Sequence, residues 1–392
     1  MQVWLLEILQ GVGRIFTQPL FYYSFILLFI LSRKRVKKER KDFGTRIFNP
    51  FTEWKGTWGL ALTAGVIISG FTIMAGLELS YPFFLLLFVV TLLLSLPLRV
   101  TYLSSVYVIG VVYLLLFSIS YLPASVKTNV WVADLSTIQL PGLTVLLAIL
   151  LLVEAIGMLR VSTYETYPER RKGSRGKWIG QHRVRKMMII PFFALIPGGM
   201  IEPFAPWWPL FSIGGSSFAL ALIPFITGWE CLAKGQDPVK ASKALGRRML
   251  ILALLVLACS VASLSIPLLS LLAIAISIMG RELLFILHRL QDDRHSYFSA
   301  HQEGLKVLGV IPGTPAHKMG IKPGEVVIRV NALPVKDETE FYQALQHNGA
   351  FSRLEVLDLN GENRYVQRSI YEGEHFELGI LFTGESPRIR EG

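Results

Sequence analysis

The chain has 392 residues, 52% of them hydrophobic and 17% charged, with a mean hydropathy of +0.48. A soluble protein of this length carries more charge, so the composition excludes an ordinary cytosolic enzyme and points to a chain largely solvated by lipid. The formal charge of +11 is uneven: residues 292–392 hold 11 basic and 15 acidic side chains, leaving 28 basic and 13 acidic before them, a pattern that implies membrane orientation and not a nucleic-acid partner.

Residues 1–14 are weakly amphipathic and read as an interfacial helix. No small-residue cleavage site follows, so no cleavable signal peptide is expected. Apolar stretches able to cross about 30 Å of hydrocarbon recur at 15–32, 59–77, 82–98, 102–122, 142–159, 188–203, 208–229, 249–265 and 267–288, which predicts nine spans. Pro191, Pro197, Gly198, Gly199 and Pro203 interrupt the sixth. It is read either as a span or as a broken, re-entrant segment sheltered by protein. Trp54, Trp58, Trp178, Trp207, Trp208 and Trp229 flank predicted spans, as an aromatic belt would.

The basic residues alternate from loop to loop. Arg33, Lys34, Arg35, Lys37 and Lys38 follow the first span, Arg170, Arg171 and Lys172 precede the sixth, and Arg247 and Arg248 precede the eighth. Loop 123–141 holds only Lys127. Nine spans with the N-terminus outside put every basic loop in the cytoplasm, together with residues 289–392. Such loops also attract anionic lipid, at ~1 kcal/mol per basic residue.

The chain thus divides into a membrane domain, 1–291, and a soluble domain, 292–392. In the latter, Leu305–Ile311 is a strand, Pro312-Gly313-Thr314-Pro315 a turn, and Ala316–Gly320 a short helical turn stopped by Gly320. Val326–Val330 is a buried strand. Asp337 or Glu338 opens an amphipathic helix through Gln346. Arg353–Leu359 and Arg364–Ile370 form a hairpin across Asn360-Gly361, and Glu377–Thr383 is the last strand.

The Pro312-Gly313-Thr314-Pro315-Ala316 turn, Gly320-Ile321, Gly324-Glu325 and Asn331 resemble the circularly permuted PDZ domains of bacteria, with Glu325 where the family has Asp and Ala332 where Gly follows Asn. The predicted fold class is therefore a polytopic α-helical membrane domain of about nine spans, followed by a small α+β cytosolic PDZ domain of permuted bacterial type. The resemblance implies a carboxylate-binding loop at Leu378-Gly379-Ile380 and a peptide-pairing edge at Ile380-Leu381-Phe382, faced by Glu338 and Tyr342. The competing reading is a PDZ-shaped scaffold with no ligand.

PDZ domains often serve proteases, but no His-Glu-x-x-His zinc motif, Walker loop or cofactor motif occurs. His295 and His301 read as solvated linker. Gly214-Gly215-Ser216-Ser217 superficially suggests a nucleophile, yet no histidine lies in a predicted span except His288, at the edge of the last. Cys231 and Cys259 give neither a disulfide framework nor metal spacing. Glu154, inside a span, is the side chain that would mark an ion path; helix packing is its bland alternative.

Several spans, a basic first loop, no protease motif and one C-terminal PDZ domain together resemble the MinJ family of Gram-positive division-site proteins. The stretches Glu303-Gly304-Leu305-Lys306-Val307-Leu308 and Tyr371-Glu372-Gly373-Glu374, the latter leading to Glu377-Leu378-Gly379, carry the likeness. It implies a non-enzymatic membrane adaptor, enriched at septum and poles, that links the scaffold DivIVA to MinD, and it is compatible with homo-oligomerisation. The alternatives are a regulator of a separate membrane protease and a transporter.

Overall fold

The computed structural model describes residues 2–172, 176, 178–205, 207–210, 217–293, 296–299, 303–347, 351–369 and 378–383. Gly214-Gly215-Ser216, His295, His301, Tyr371-Glu372-Gly373-Glu374 and Glu377 lie outside the described residues.

Seven of the nine predicted spans are helices: α2 (Pro19–Phe43), α4 (Trp58–Ala75), α5 (Tyr81–Ser95), α6 (Ser105–Ile119), α9 (Leu140–Leu159), α10 (Pro238–Ala262) and α11 (Leu268–Asp292). Short helices α3 (Thr52–Lys55), α7 (Ala124–Lys127) and α8 (Val130–Ser136) sit in the connections. Helices α4, α9, α10 and α11 are each long and apolar enough to cross a membrane. The amphipathic α1 (Gln2–Arg14) and α2 are bent 57° apart and qualify together. Helices α5 and α6, at 15 residues, reach only ~22 Å each. Helix α9 is the hub. Most of its residues are buried, whereas α4 and α10 leave an apolar face exposed, as lipid contact requires.

The remaining two predicted spans are not helices. The structure replaces them with a long antiparallel ribbon, β2 (Trp178–Ile201) and β3 (Phe218–Ala233), with β1 (Tyr167–Lys172) on the outer edge of β2 near its start. The sequence misleads here for a physical reason: a strand buried on both faces reads as a continuous apolar run, like a span. The prolines are accommodated because Pro191 and Pro224 face each other in register, so the missing N–H donors fall on one rung. The bend comes at Gly198, with φ +77°, and at a bulge between Pro197 and Ile201. Trp229 and Trp208 are buried in this arrangement rather than placed in a belt, while Trp58 and Trp207 are exposed.

A two-stranded ribbon has two open edges, and unpaired backbone groups away from water are costly. Polar side chains meet both edges. Along β2, Phe193 N–H donates to Ser69 Oγ at 2.9 Å, the Phe193 carbonyl accepts from Thr72, and the Met187 carbonyl accepts from Thr57 Oγ1 at 3.1 Å. Along β3, Arg14 donates to the Leu220 carbonyl at 2.6 Å, Gln18 donates to that of Leu222 at 2.9 Å, and Glu7 accepts from Leu220 N–H at 3.3 Å. Thus α1 and the start of α2 cover one edge and α4 covers the other. Gly65 lets α4 approach so closely that a Cβ there would collide with the Pro191 carbonyl.

The C-terminal unit has its own core, including Val307, Val327, Val330, Phe341, Leu354, Val356 and Phe382. Its strands are β4 (Leu305–Val310), β5 (Val326–Val330), β6 (Leu333–Pro334), β7 (Phe351–Leu357), β8 (Asn363–Ser369) and β9 (Ile380–Phe382), with helices α12 (Pro315–Lys318) and α13 (Glu338–Gln346). The sheet order is β8-β7-β5-β4-β9, with β6 on β5 and every pair antiparallel. Gly320 and Gly361 adopt φ +72° and +86°, as their turns require. Asp337 caps α13 by accepting from Glu340 N–H at 2.8 Å.

Candidate peptide groove

Strand β9 is an edge of the sheet, and among the described residues it is the last strand in chain order. Gly379 precedes it with φ +81°, and a Cβ there would also collide with the Thr314 side chain. The Gly379 carbonyl accepts from Ile311 N–H at 2.8 Å, and the Leu378 carbonyl from Ala316 N–H at 2.9 Å. These bonds tie the loop to the Pro-Gly-Thr-Pro-Ala turn. Glu338 and Tyr342, one turn apart on α13, line a crevice with Gly379, Ile380, Leu381 and Phe382. All seven residues that the PDZ resemblance implies are therefore together. Leu378 is the exception only in lying beneath, in the core.

The crevice has a further wall that the sequence does not announce. Phe43, Thr45 and Arg170 line it from the membrane domain, leaving a space of about 30 Å³, roughly one water molecule. Arg170 donates to the Phe382 carbonyl through Nε at 3.2 Å and Nη2 at 2.8 Å, and through Nη1 to the Asp42 carbonyl at 3.2 Å. Its guanidinium also lies over the Phe43 ring. Burial pulls its pKa below the ordinary arginine value, while the charges of Glu338 and Asp42 act in the opposite direction. An acceptor on the edge strand β9 is thus already occupied by the chain's own arginine.

The domain contact extends beyond the crevice. Phe43, Ile47, Phe48, Tyr167, Phe298, Leu308 and Leu381 form one apolar cluster drawn from both halves of the chain. Inside it His182 is fully buried, with Nδ1 on Thr166 Oγ1 at 2.8 Å and Nε2 on the Leu308 carbonyl at 2.5 Å. A carbonyl only accepts, so Nε2 carries the proton. Burial lowers the His182 pKa to about 4.

The basic residues take three kinds of place. Arg35 is not a surface charge. It is 4% exposed and ion-paired to Glu39 and, at 2.7 Å, to Glu53. Lys38 pairs with Glu169 at 2.7 Å, joining α2 to β1. Burial works against it, yet Arg183 and Lys38 hold the Glu169 carboxyl down to about 2. Arg33, Lys34, Lys37, Arg171, Lys172 and Arg247 are exposed, and Arg248 bonds Gln291 at 3.0 Å.

Two side chains that invite chemistry are occupied structurally. Glu154 is buried, with Oε2 accepting from Ser104 Oγ at 2.7 Å and Oε1 from Ser105 N–H at 2.6 Å and from Thr227. It caps α6 and ties α9 to α6 and β3. The Cys231 thiol lies 3.2 Å from His288 Nε2, but the same nitrogen contacts the Leu232 carbonyl at 2.9 Å and so carries a proton. That nitrogen is no base for the thiol, whose pKa burial pushes up.

A family model for the PDZ domain matches residues 306–357. The chain is 36% identical over 383 residues to the cell division topological determinant MinJ of Bacillus subtilis (strain 168), covering 97% of this chain and 96% of that protein. It is 36% identical over 93 residues to the probable cell division topological determinant MinJ of Lacticaseibacillus paracasei, 24% of this chain and 25% of that one. A partial likeness, 33% over 76 residues, reaches the mitochondrial serine protease HTRA2 of Drosophila erecta, covering 19% of this chain.

Proposed function

We propose, from the premise that this chain belongs to the MinJ family of cell division topological determinants, that it is a non-enzymatic multi-pass adaptor linking the septal and polar scaffold DivIVA to MinD. The observation that carries this reading is a relationship along nearly the whole chain, membrane helices and PDZ domain together. Relatives among serine proteases match only 16–19% of this chain, which favours no protease-regulator reading. The polar engagement of Glu154 gives a transport reading no support.

The same reading sets the topology. With the ribbon in place of two predicted spans, the count stays odd whether the short pair α5 and α6 is included or not, so an outer N-terminus still leaves residues 292–392 and the basic loops in the cytoplasm. The Lys38–Glu169 pair and the shared apolar cluster support this, because they join the end of α2, the segment after α9 and the PDZ domain on one side. Exposed Arg33, Lys37, Arg171, Lys172 and Arg247 then face the anionic lipid surface. The crevice of Gly379, Ile380, Leu381 and Phe382 with Glu338 and Tyr342 is the docking groove, and Arg170 holds it closed until a peptide strand displaces it. A homo-oligomer is compatible with this arrangement.

The test is simultaneous capture. Solubilised full-length protein, immobilised through a tag, is expected to retain purified DivIVA and purified MinD together. Retention of one alone, or of neither, overturns the linking role.

A further inference from the structure

A second, larger concavity lies away from the PDZ groove. It measures about 620 Å³ and is bounded by the end of α2, the 98–107 turn, β1, the start of the ribbon and the end of α11. Its walls are strongly charged, and its carboxylates are engaged. Glu39 pairs with Arg35, Glu169 with Lys38 and Arg183, Glu230 with Arg183, and Asp293 with Lys234 at 2.6 Å. Asp292 accepts from Lys234 N–H at 2.7 Å and Gly235 N–H at 2.9 Å, and Glu282 accepts from Tyr107.

The cations are not all used. Lys34, Arg99 and Arg289 are exposed at the cavity's rim. Among the described residues, Lys34 reaches only the Leu98 carbonyl, at 3.2 Å, and Arg99 and Arg289 have no ion-pair partner. Among the described residues that line the cavity, two buried donors are also unsatisfied, Arg185 Nε and Tyr167 Oη. Glu53, which takes one bond from Arg185 at 3.3 Å and leaves its own Oε2 without a partner among the described residues, does not line it. Unpaired buried donors are rare and call for an acceptor.

Depth identifies which acceptor. The cavity lies where the apolar parts of α2 and α11 give way to charge. On the same two helices, Phe29 and Ile30 of α2 and Leu283, Ile286 and Leu290 of α11 are exposed apolar side chains. An anion with hydrocarbon attached suits both surfaces. We propose that this cavity binds the phosphodiester headgroup of an anionic phospholipid, with Lys34, Arg99 and Arg289 around the phosphate and the acyl chains along α2 and α11. This is a discrete site, independent of the adaptor reading and distinct from the diffuse attraction of the basic loops.

The experiment is native mass spectrometry of the full-length protein released from nanodiscs of equimolar phosphatidylglycerol and phosphatidylcholine. Phosphatidylglycerol is expected to be retained selectively. R99Q/R289Q should lower its retention by more than ten-fold, at roughly five-fold per cation removed. K240Q/K243Q, which removes two exposed charges of α10 outside the cavity, should leave retention unchanged, and unaltered thermal unfolding of each variant establishes that it is folded. Equal retention of both lipids overturns the proposal. So does equal loss in the two double variants, which means diffuse attraction. Displacement of the lipid by millimolar glycerol 3-phosphate overturns it as well, because the site would then belong to a soluble phosphate.

Discussion

At the residue scale, single side chains settle questions that their types leave open. Arg170 sits in a basic run, and its type and neighbours suggest only membrane orientation. Its place against β9 depends on how two distant parts of the chain dock, which no local pattern encodes. R170A is expected to free the edge of β9. Amides of 380–382 should exchange faster with deuterium in the full-length protein, and capture of peptides by the groove should rise; unchanged exchange would mean that the arginine does not close it. Ala332 is the opposite kind of case, legible in advance as a departure from the PDZ pattern. It adopts φ +70°, a conformation costing a non-glycine residue about 1–2 kcal/mol. A332G should therefore raise stability by about 1 kcal/mol, seen as a higher unfolding midpoint of the C-terminal unit. Glu154 meets three donors at once, so E154Q should cost about 1–3 kcal/mol by leaving some of them poorly matched. Melting of the solubilised protein measures that cost.

At the scale of elements, the helices and the PDZ strands were legible because their periods are clean and Gly320, Asp337 and Gly361 punctuate them. The ribbon was not legible. Strands β2 and β3 are buried on both faces, so the alternation that betrays a half-exposed strand is absent, and the prolines at 191 and 224 argue against any regular element until their shared rung is seen. The neighbours that satisfy its edges, Ser69, Thr72, Arg14 and Gln18, are isolated polar residues with no sequence signal. Helix α4 must lie close for this to work. G65L should separate α4 from β2 and destabilise the membrane domain by more than about 2 kcal/mol through overpacking, measurable as loss of the solubilised, monodisperse fraction. The docking of β2 against the PDZ domain is predicted to depend on pH. The His182 pKa is lowered from 6.5 to about 4, so between these values the undocked, exposed imidazole binds a proton that the docked one refuses. Docking is fully favoured above pH 6.5, weakens as pH falls towards 4, and changes little further below it. Cross-linking between β2 and β4 as a function of pH reads this out, and H182F should flatten the curve.

For the whole molecule, the arrangement is a lipid-facing helical shell around a buried ribbon whose one end carries the PDZ domain. That end also gathers the basic tips of α2, β1 and α10, the polar face at which the proposed adaptor would meet cytoplasmic proteins and lipid headgroups. Such a design suits an adaptor: a rigid membrane anchor, a closed groove and a charged surface. The measurement that tests this most directly is the distribution of fluorescent MinD, with cell lengths, in cells with and without the protein at native level. The account predicts that MinD loses its septal and polar enrichment when the protein is absent, with filaments or minicells appearing. MinD that keeps its pattern, in cells of normal length, would contradict it.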